Sequence, residues 1–77
     1  MSTTSRLSAA FARLIRKHRL QEGLSQEALA EAASVHHTYL SLLERGKRKP
    51  TIQVADQLAR ALGKKLSTLV AEAERDI

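Results

Sequence analysis

The sequence predicts an all-α, single-domain protein, and three observations carry that expectation. Ala and Leu dominate, whereas β-branched and aromatic residues are scarce, a composition that favours helix over strand. Apolar residues recur three and four apart through most of the chain. The only glycines (23, 46 and 63) and the single proline, Pro50, fall between these periodic segments, where helix ends belong. At 77 residues the chain has room for one small core.

Five helices are expected. Residues 1–4 are small and polar and read as a frayed, disordered start. The first helix runs from about Ser5 to Glu22, with Leu7, Ala10, Phe11, Leu14, Ile15 and His18 on one stripe and Gly23 as its stop. The second begins after Ser25 as N-cap, has Gln26 and Glu27 in its first turn, and turns Leu29, Ala30 and Ala33 inward. The third spans about His37 to Glu44, with Leu40 and Leu43 inward and Gly46 ending it. The fourth follows Pro50-Thr51, and its stripe is Ile52, Ala55, Leu58, Ala59 and Leu62 before Gly63. The fifth occupies about residues 67–77, where Leu69, Val70 and Ala73 share a face with Leu66, and Ile77 extends it.

Composition excludes several functions. Without cysteine there are no disulfides and no thiolate metal sites. No apolar run reaches the ~20 residues of a membrane helix, and no export signal opens the chain, so a cytoplasmic protein with no membrane partner is expected. One Phe, one Tyr and no Trp leave little for stacking single-stranded bases. No Ser/His/acid set, carboxylate pair or glycine-rich phosphate loop is present, so no catalytic residue, cofactor or small-molecule ligand is expected. His36 and His37 are adjacent, and adjacent helical residues point ~100° apart. With no cysteine or nearby carboxylate to complete a tetrahedron, they do not read as a metal site.

Charge is uneven. The net charge is +5. Arg13, Arg16, Lys17 and Arg19 load the first helix, Arg45, Lys47, Arg48 and Lys49 crowd five positions after the third, and the last six residues are net acidic. A basic middle with an acidic tail points to a polyanion partner for the middle.

The informative stretch is SQEALAEAASVHHTYLSLLER, residues 25–45. Two short helices meet there through a turn near Ser34-Val35-His36, and the small Ala30 allows the close, steep crossing of a helix-turn-helix over about residues 26–44. With Leu29, Ala33, Val35, Leu40 and Leu43 anchoring both helices, the outer face of the third helix is His37, Thr38, Ser41, Leu42 and Arg45, with His36 at its start. A helix of this size fits the major groove of B-DNA and brings its N-terminal residues to base edges first.

LSQEALAEAASVHHTYLSLLERGKRKPT followed by LARALG resembles the phage-repressor/Cro-like (XRE) helix-turn-helix family over roughly residues 7–69. The compact length also resembles the controller proteins of restriction–modification systems. The resemblance implies a compact five-helix, lambda-repressor-like domain that acts as a homodimer on a two-fold operator in double-stranded DNA. It implies base reading by His36, His37, Thr38 and Leu42. It implies backbone contacts by Ser25, Gln26, Tyr39, Ser41, Arg45, Lys47 and Arg48. It also implies an internal ion pair between Arg19 and Glu44.

Three positions depart from the family pattern. Ser34 stands where the turn usually has Gly, His36 where Ser, Thr or Asp usually caps the third helix, and Leu42 where a polar residue is common. Val54, Leu66, Val70, Ala73 and Ile77 are the apolar groups expected at the surface of the fourth and fifth helices, where they invite a second copy. The alternative function is a protein-binding adaptor on the same fold, such as an antitoxin or coactivator. Few residues follow the start of the fifth helix for covering such a partner.

Overall fold

The structure, a computed structural model, describes residues 3–77. Among the described residues there are five helices and no strand: α1 (Thr3–Gln21), α2 (Gln26–Ala33), α3 (His37–Glu44), α4 (Ile52–Ala61) and α5 (Leu66–Arg75). Helix α1 begins two residues before the expected Ser5, and residues 1–2 of the expected frayed start lie outside the described residues. Helix α5 begins at Leu66 rather than Ser67, with Lys65 as its N-cap. It ends at Arg75, so Ile77 lies beyond it.

The core is a single cluster. Ile15 of α1, Leu29 of α2, Leu40 and Leu43 of α3, Leu58 of α4 and Leu69 of α5 are fully buried, so every helix contributes a large apolar side chain. Helix α1 packs on α3 and α5, α2 packs on α3 and α4, and α4 packs on α5. Burying a leucine or isoleucine is worth about 1.5–3 kcal/mol each, and these six define one cooperative core.

Two apolar residues sit elsewhere than their periodicity predicts. Ile52 was expected in the α4 stripe but is 81% exposed. It occupies the first turn, ahead of the stretch of α4 that is covered, and borders a shallow groove of about 240 Å³ lined also by Leu7, Phe11, Leu66 and Val70. Ala73 was expected at the surface but is fully buried. It lies one turn after Leu69 on the side of α5 that packs inward, so it is unavailable to a partner.

Polar contacts tie α1 to both α3 and α5. The Arg19 guanidinium binds Glu44 through two bonds, Nε to Oε2 at 2.7 Å and Nη2 to Oε1 at 2.9 Å, and its Nη1 donates to the Leu24 carbonyl at 2.8 Å. The bond to Glu44 raises the Arg19 pKa above its ordinary value, although burial opposes this. Toward α5, His18 Nε2 donates to Glu72 Oε1 at 3.0 Å, and Lys17 Nζ lies 3.6 Å from Oε2. The His18 hydrogen bond holds the Glu72 carboxyl below the usual carboxylate range.

These contacts generate three predictions. Arg19→Met leaves a buried carboxylate without its partner and should destabilise the fold by about 3–5 kcal/mol, whereas adding Glu44→Met should recover most of that loss. Urea unfolding of both variants checks this. Glu72 has a folded pKa below its unfolded one, so its stabilisation is fully present above the ordinary value of 4.5 and is lost as pH falls through the lower folded value. Glu72→Gln should therefore lower stability at pH 7 and flatten the acid side of the stability profile. Ser34 has φ +59°, a conformation costly for a residue with a Cβ. Ser34→Gly should raise stability by about 0.5–1 kcal/mol, part of the relief being offset by glycine's greater unfolded-state entropy.

Candidate nucleic-acid interface

The geometry of the helix pair α2–α3 follows from its caps. Ser25 Oγ accepts from the Ala28 N–H at 3.0 Å and starts α2. The helix ends as Ser34 enters the left-handed region at φ +59°, ψ +39°. There the Ser34 N–H donates to Glu31 O at 3.1 Å and the Val35 N–H to Ala30 O at 2.9 Å. That pair of bonds is the Schellman arrangement, which satisfies carbonyls the helix leaves open. Gln57 of α4 reaches across to donate Nε2 to the Ala33 carbonyl at 2.8 Å, closing the last gap in the turn. Nothing local marks Gln57 for this work, because its partner is 24 residues away in sequence.

Helix α3 is capped by a histidine. The ring Nδ1 of His36 accepts from the Thr38 N–H at 3.3 Å. The His36 and His37 rings stack with centroids 5.5 Å apart and planes inclined by 19°. At its far end a second Schellman pair forms, Gly46 N–H to Leu43 O at 2.9 Å and Lys47 N–H to Leu42 O at 2.8 Å. Gly46 adopts φ +76°, the left-handed conformation that an L side chain resists. The chain then leaves the helix axis with Lys47, Arg48 and Lys49 exposed.

The sequence-predicted site residues therefore divide into four groups. His36, His37 and Thr38 are exposed at the N-terminal end of α3, and Arg45, Lys47 and Arg48 are exposed at and beyond its C-terminal end. These two groups flank the exposed side of α3, the ridge of the candidate interface. Tyr39, Ser41 and Leu42 are half-buried, and Tyr39 packs against the core, so they offer an edge rather than a whole side chain. Gln26 and Ser25 already have partners inside the protein: Gln26 Nε2 donates to Glu44 Oε1 at 3.0 Å, and Ser25 Oγ serves as the cap of α2. Glu44, the acidic residue at the end of α3, is buried against Arg19. The ridge thus presents cations and short polar groups, with the Glu44 carboxylate kept off its surface.

Among the described residues no cluster of His, Cys, Asp and Glu has the arrangement of a metal site. No helix among them is long and apolar enough to cross a membrane. Of the residues expected at a dimer face, Val54, Leu66 and Val70 are half-buried and Ile77 is exposed.

A helix-turn-helix family profile matches residues 15–69, which takes in α2, α3 and α4 whole. An uncharacterised HTH-type transcriptional regulator of Methanothermobacter thermautotrophicus is 45% identical over 51 residues, 66% of this chain and 74% of that protein. The control protein C.BamHI of Bacillus amyloliquefaciens is 34% identical over 61 residues, 78% of this chain and 75% of its own length. The crystal structure of the clp gene regulator ClgR from Corynebacterium glutamicum superposes with a TM-score of 0.84 at 31% identity, over 91% of this chain and 74% of that one. The turn locked between α2 and α3, the ridge that α3 presents and these likenesses lead to one conclusion: the chain belongs to the XRE-type helix-turn-helix family.

Proposed function

We propose that the protein is a sequence-specific regulator of transcription that binds double-stranded DNA as a homodimer, with α3 in the major groove. The observation that carries this reading is the ridge itself. Exposed His36, His37 and Thr38 occupy the end of α3 that meets base edges first, and the cationic run Arg45 to Lys49 occupies the other end, at the level of the phosphates. Tyr39 and Ser41 are edge contacts to phosphate or sugar, and the half-buried Leu42 is confined to a thymine methyl or sugar. Ser25 and Gln26 meet the backbone from the start of α2. The surrounding positive charge supplies the sequence-independent part of the affinity by releasing counterions.

The dimer face is the apolar surface where α4 and α5 meet. Ile52, exposed at the start of α4, stands beside Leu66 and Val70 at the groove. The half-buried Val54 adds to the apolar surface of α4, Ile77 lies apart beside Arg6, Ala9 and Arg13 of α1, and Ala73 is buried. A second copy across this face places two α3 helices on successive major grooves about 34 Å apart, or a multiple of that. The similarity to the control protein C.BamHI supports a controller role. Repression or activation then follows from where the operator lies relative to the promoter, so the reading requires no ligand domain.

Three measurements test the proposal. His37→Ala or Thr38→Ala should cost about 1–3 kcal/mol on the preferred duplex, found by selection from random sequences, and little on random DNA. Equal losses on both duplexes would remove the base-reading assignment. Lys47→Ala should weaken both and lower the salt slope by about one. Ile52→Asp should give a monomer by analytical ultracentrifugation with unchanged helicity, and a variant that stays dimeric rules this face out. Co-purification of a stoichiometric small protein on the same face would favour the adaptor reading instead.

A further inference from the structure

The first residue of α2 and the last residue of α3 meet behind the reading face, at a single oxygen. Glu44 Oε1 accepts from Arg19 Nη2 at 2.9 Å and from Gln26 Nε2 at 3.0 Å. Glu44 Oε2 is taken by Arg19 Nε at 2.7 Å, and the Glu44 side chain is only 1% exposed. An ionised carboxylate can only accept hydrogen bonds, and both Glu44 oxygens already accept from Arg19. The Gln26 amide can therefore meet Glu44 only through its nitrogen. One amide hydrogen is committed inward, and the second hydrogen and the carbonyl oxygen are left for whatever approaches from outside. An ordinary surface glutamine chooses among many rotamers and either amide orientation, whereas this one is held before any partner arrives.

We propose that Glu44 is a positioning residue for Gln26, so that the ion pair between α1 and α3 also aims a DNA-contacting amide at the N-terminus of α2. The inference rests on the reading of Gln26 as a DNA backbone contact. A phosphate oxygen accepts and never donates, so it needs the N–H of that amide and is repelled by its carbonyl. Glu44 supports the productive orientation by holding the nitrogen in place, and the ordering cost of that side chain is met in the free protein rather than on binding. Arg19 acts one step further back by fixing the carboxylate.

The test joins a spectroscopic readout of the free protein to a double-mutant cycle. In wild-type protein one Gln26 Nε2 hydrogen should be displaced from the free-glutamine NMR shift and exchange with water more slowly than its partner on the same nitrogen, and Glu44→Gln should abolish that difference. That substitution keeps the shape of the side chain but leaves one acceptor oxygen, which Arg19 retains, and sets a donor against the Gln26 nitrogen. On a mixed-sequence duplex at low salt, Gln26→Ala should weaken binding about five- to tenfold in the wild-type background. In the Glu44→Gln background it should weaken binding less than about twofold, measured where circular dichroism shows both proteins fully helical. The inference is overturned by a Gln26 amide in the wild-type protein whose two hydrogens show free-glutamine shifts and exchange, which needs no variant to fold, or by the same factor in both backgrounds. Failure to bind any duplex would sink the regulator reading itself. An ordered amide with equal factors would sink only the role given to Glu44.

Discussion

The placement of α3 depends on one buried pair of charges. Helix α3 is eight residues long, too short to hold a direction by itself. Leu40 and Leu43 bury its inner side, but apolar contact tolerates sliding and rotation. The two bonds from Arg19 to Glu44 remove that freedom at the end of the helix, because a guanidinium and a carboxylate fit one another in a plane. The third bond, to the Leu24 carbonyl, gathers the α1–α2 connection into the same knot. A buried pair of this kind contributes orientation more than net stability. Orientation is what the groove-reading role proposed for α3 requires.

The opposite end of α3 is governed by backbone geometry. The turn from α2 works through a serine in a left-handed conformation, two crossed backbone bonds and an amide supplied from α4. Glycine would enter this turn with less strain. Here the contact from Gln57 and the packing of Val35 against the core hold the serine version in place. Helix α4 thus contributes at two distances. It supports the turn from behind, and its own first residue, Ile52, opens the apolar surface on the far side of the domain.

Much of this architecture was legible in the sequence. The third helix matched its expected span from His37 to Glu44, and Ser25 and Thr51 act as the N-caps that their positions imply. Helical periodicity identified the buried leucines because the core repeats every turn. What escaped was of two kinds. Residues at helix ends were misjudged, since a periodic stripe does not say where its neighbours stop. Ile52 lies on the rim of its stripe and comes out exposed, whereas Ala73 follows its stripe inward. Long-range polar contacts had no local mark. Gln57 with Ala33 and His18 with Glu72 join positions 24 and 54 residues apart. At the interface the sequence pointed to the exposed ends of α3, but could not show that Gln26 is engaged from within or that Leu42 is half-covered.

The histidine cap of α3 also settles a question of tautomer. A backbone N–H can only donate, so the Nδ1 that receives it from Thr38 carries no proton. The neutral imidazole then bears its hydrogen on Nε2, at the far side of the ring. A serine or aspartate at this position would face outward as an acceptor or in either sense. His36 instead offers a donor at the start of α3, which in the groove reading proposed for this helix matches the N7 and O6 of guanine and not the amino group of cytosine.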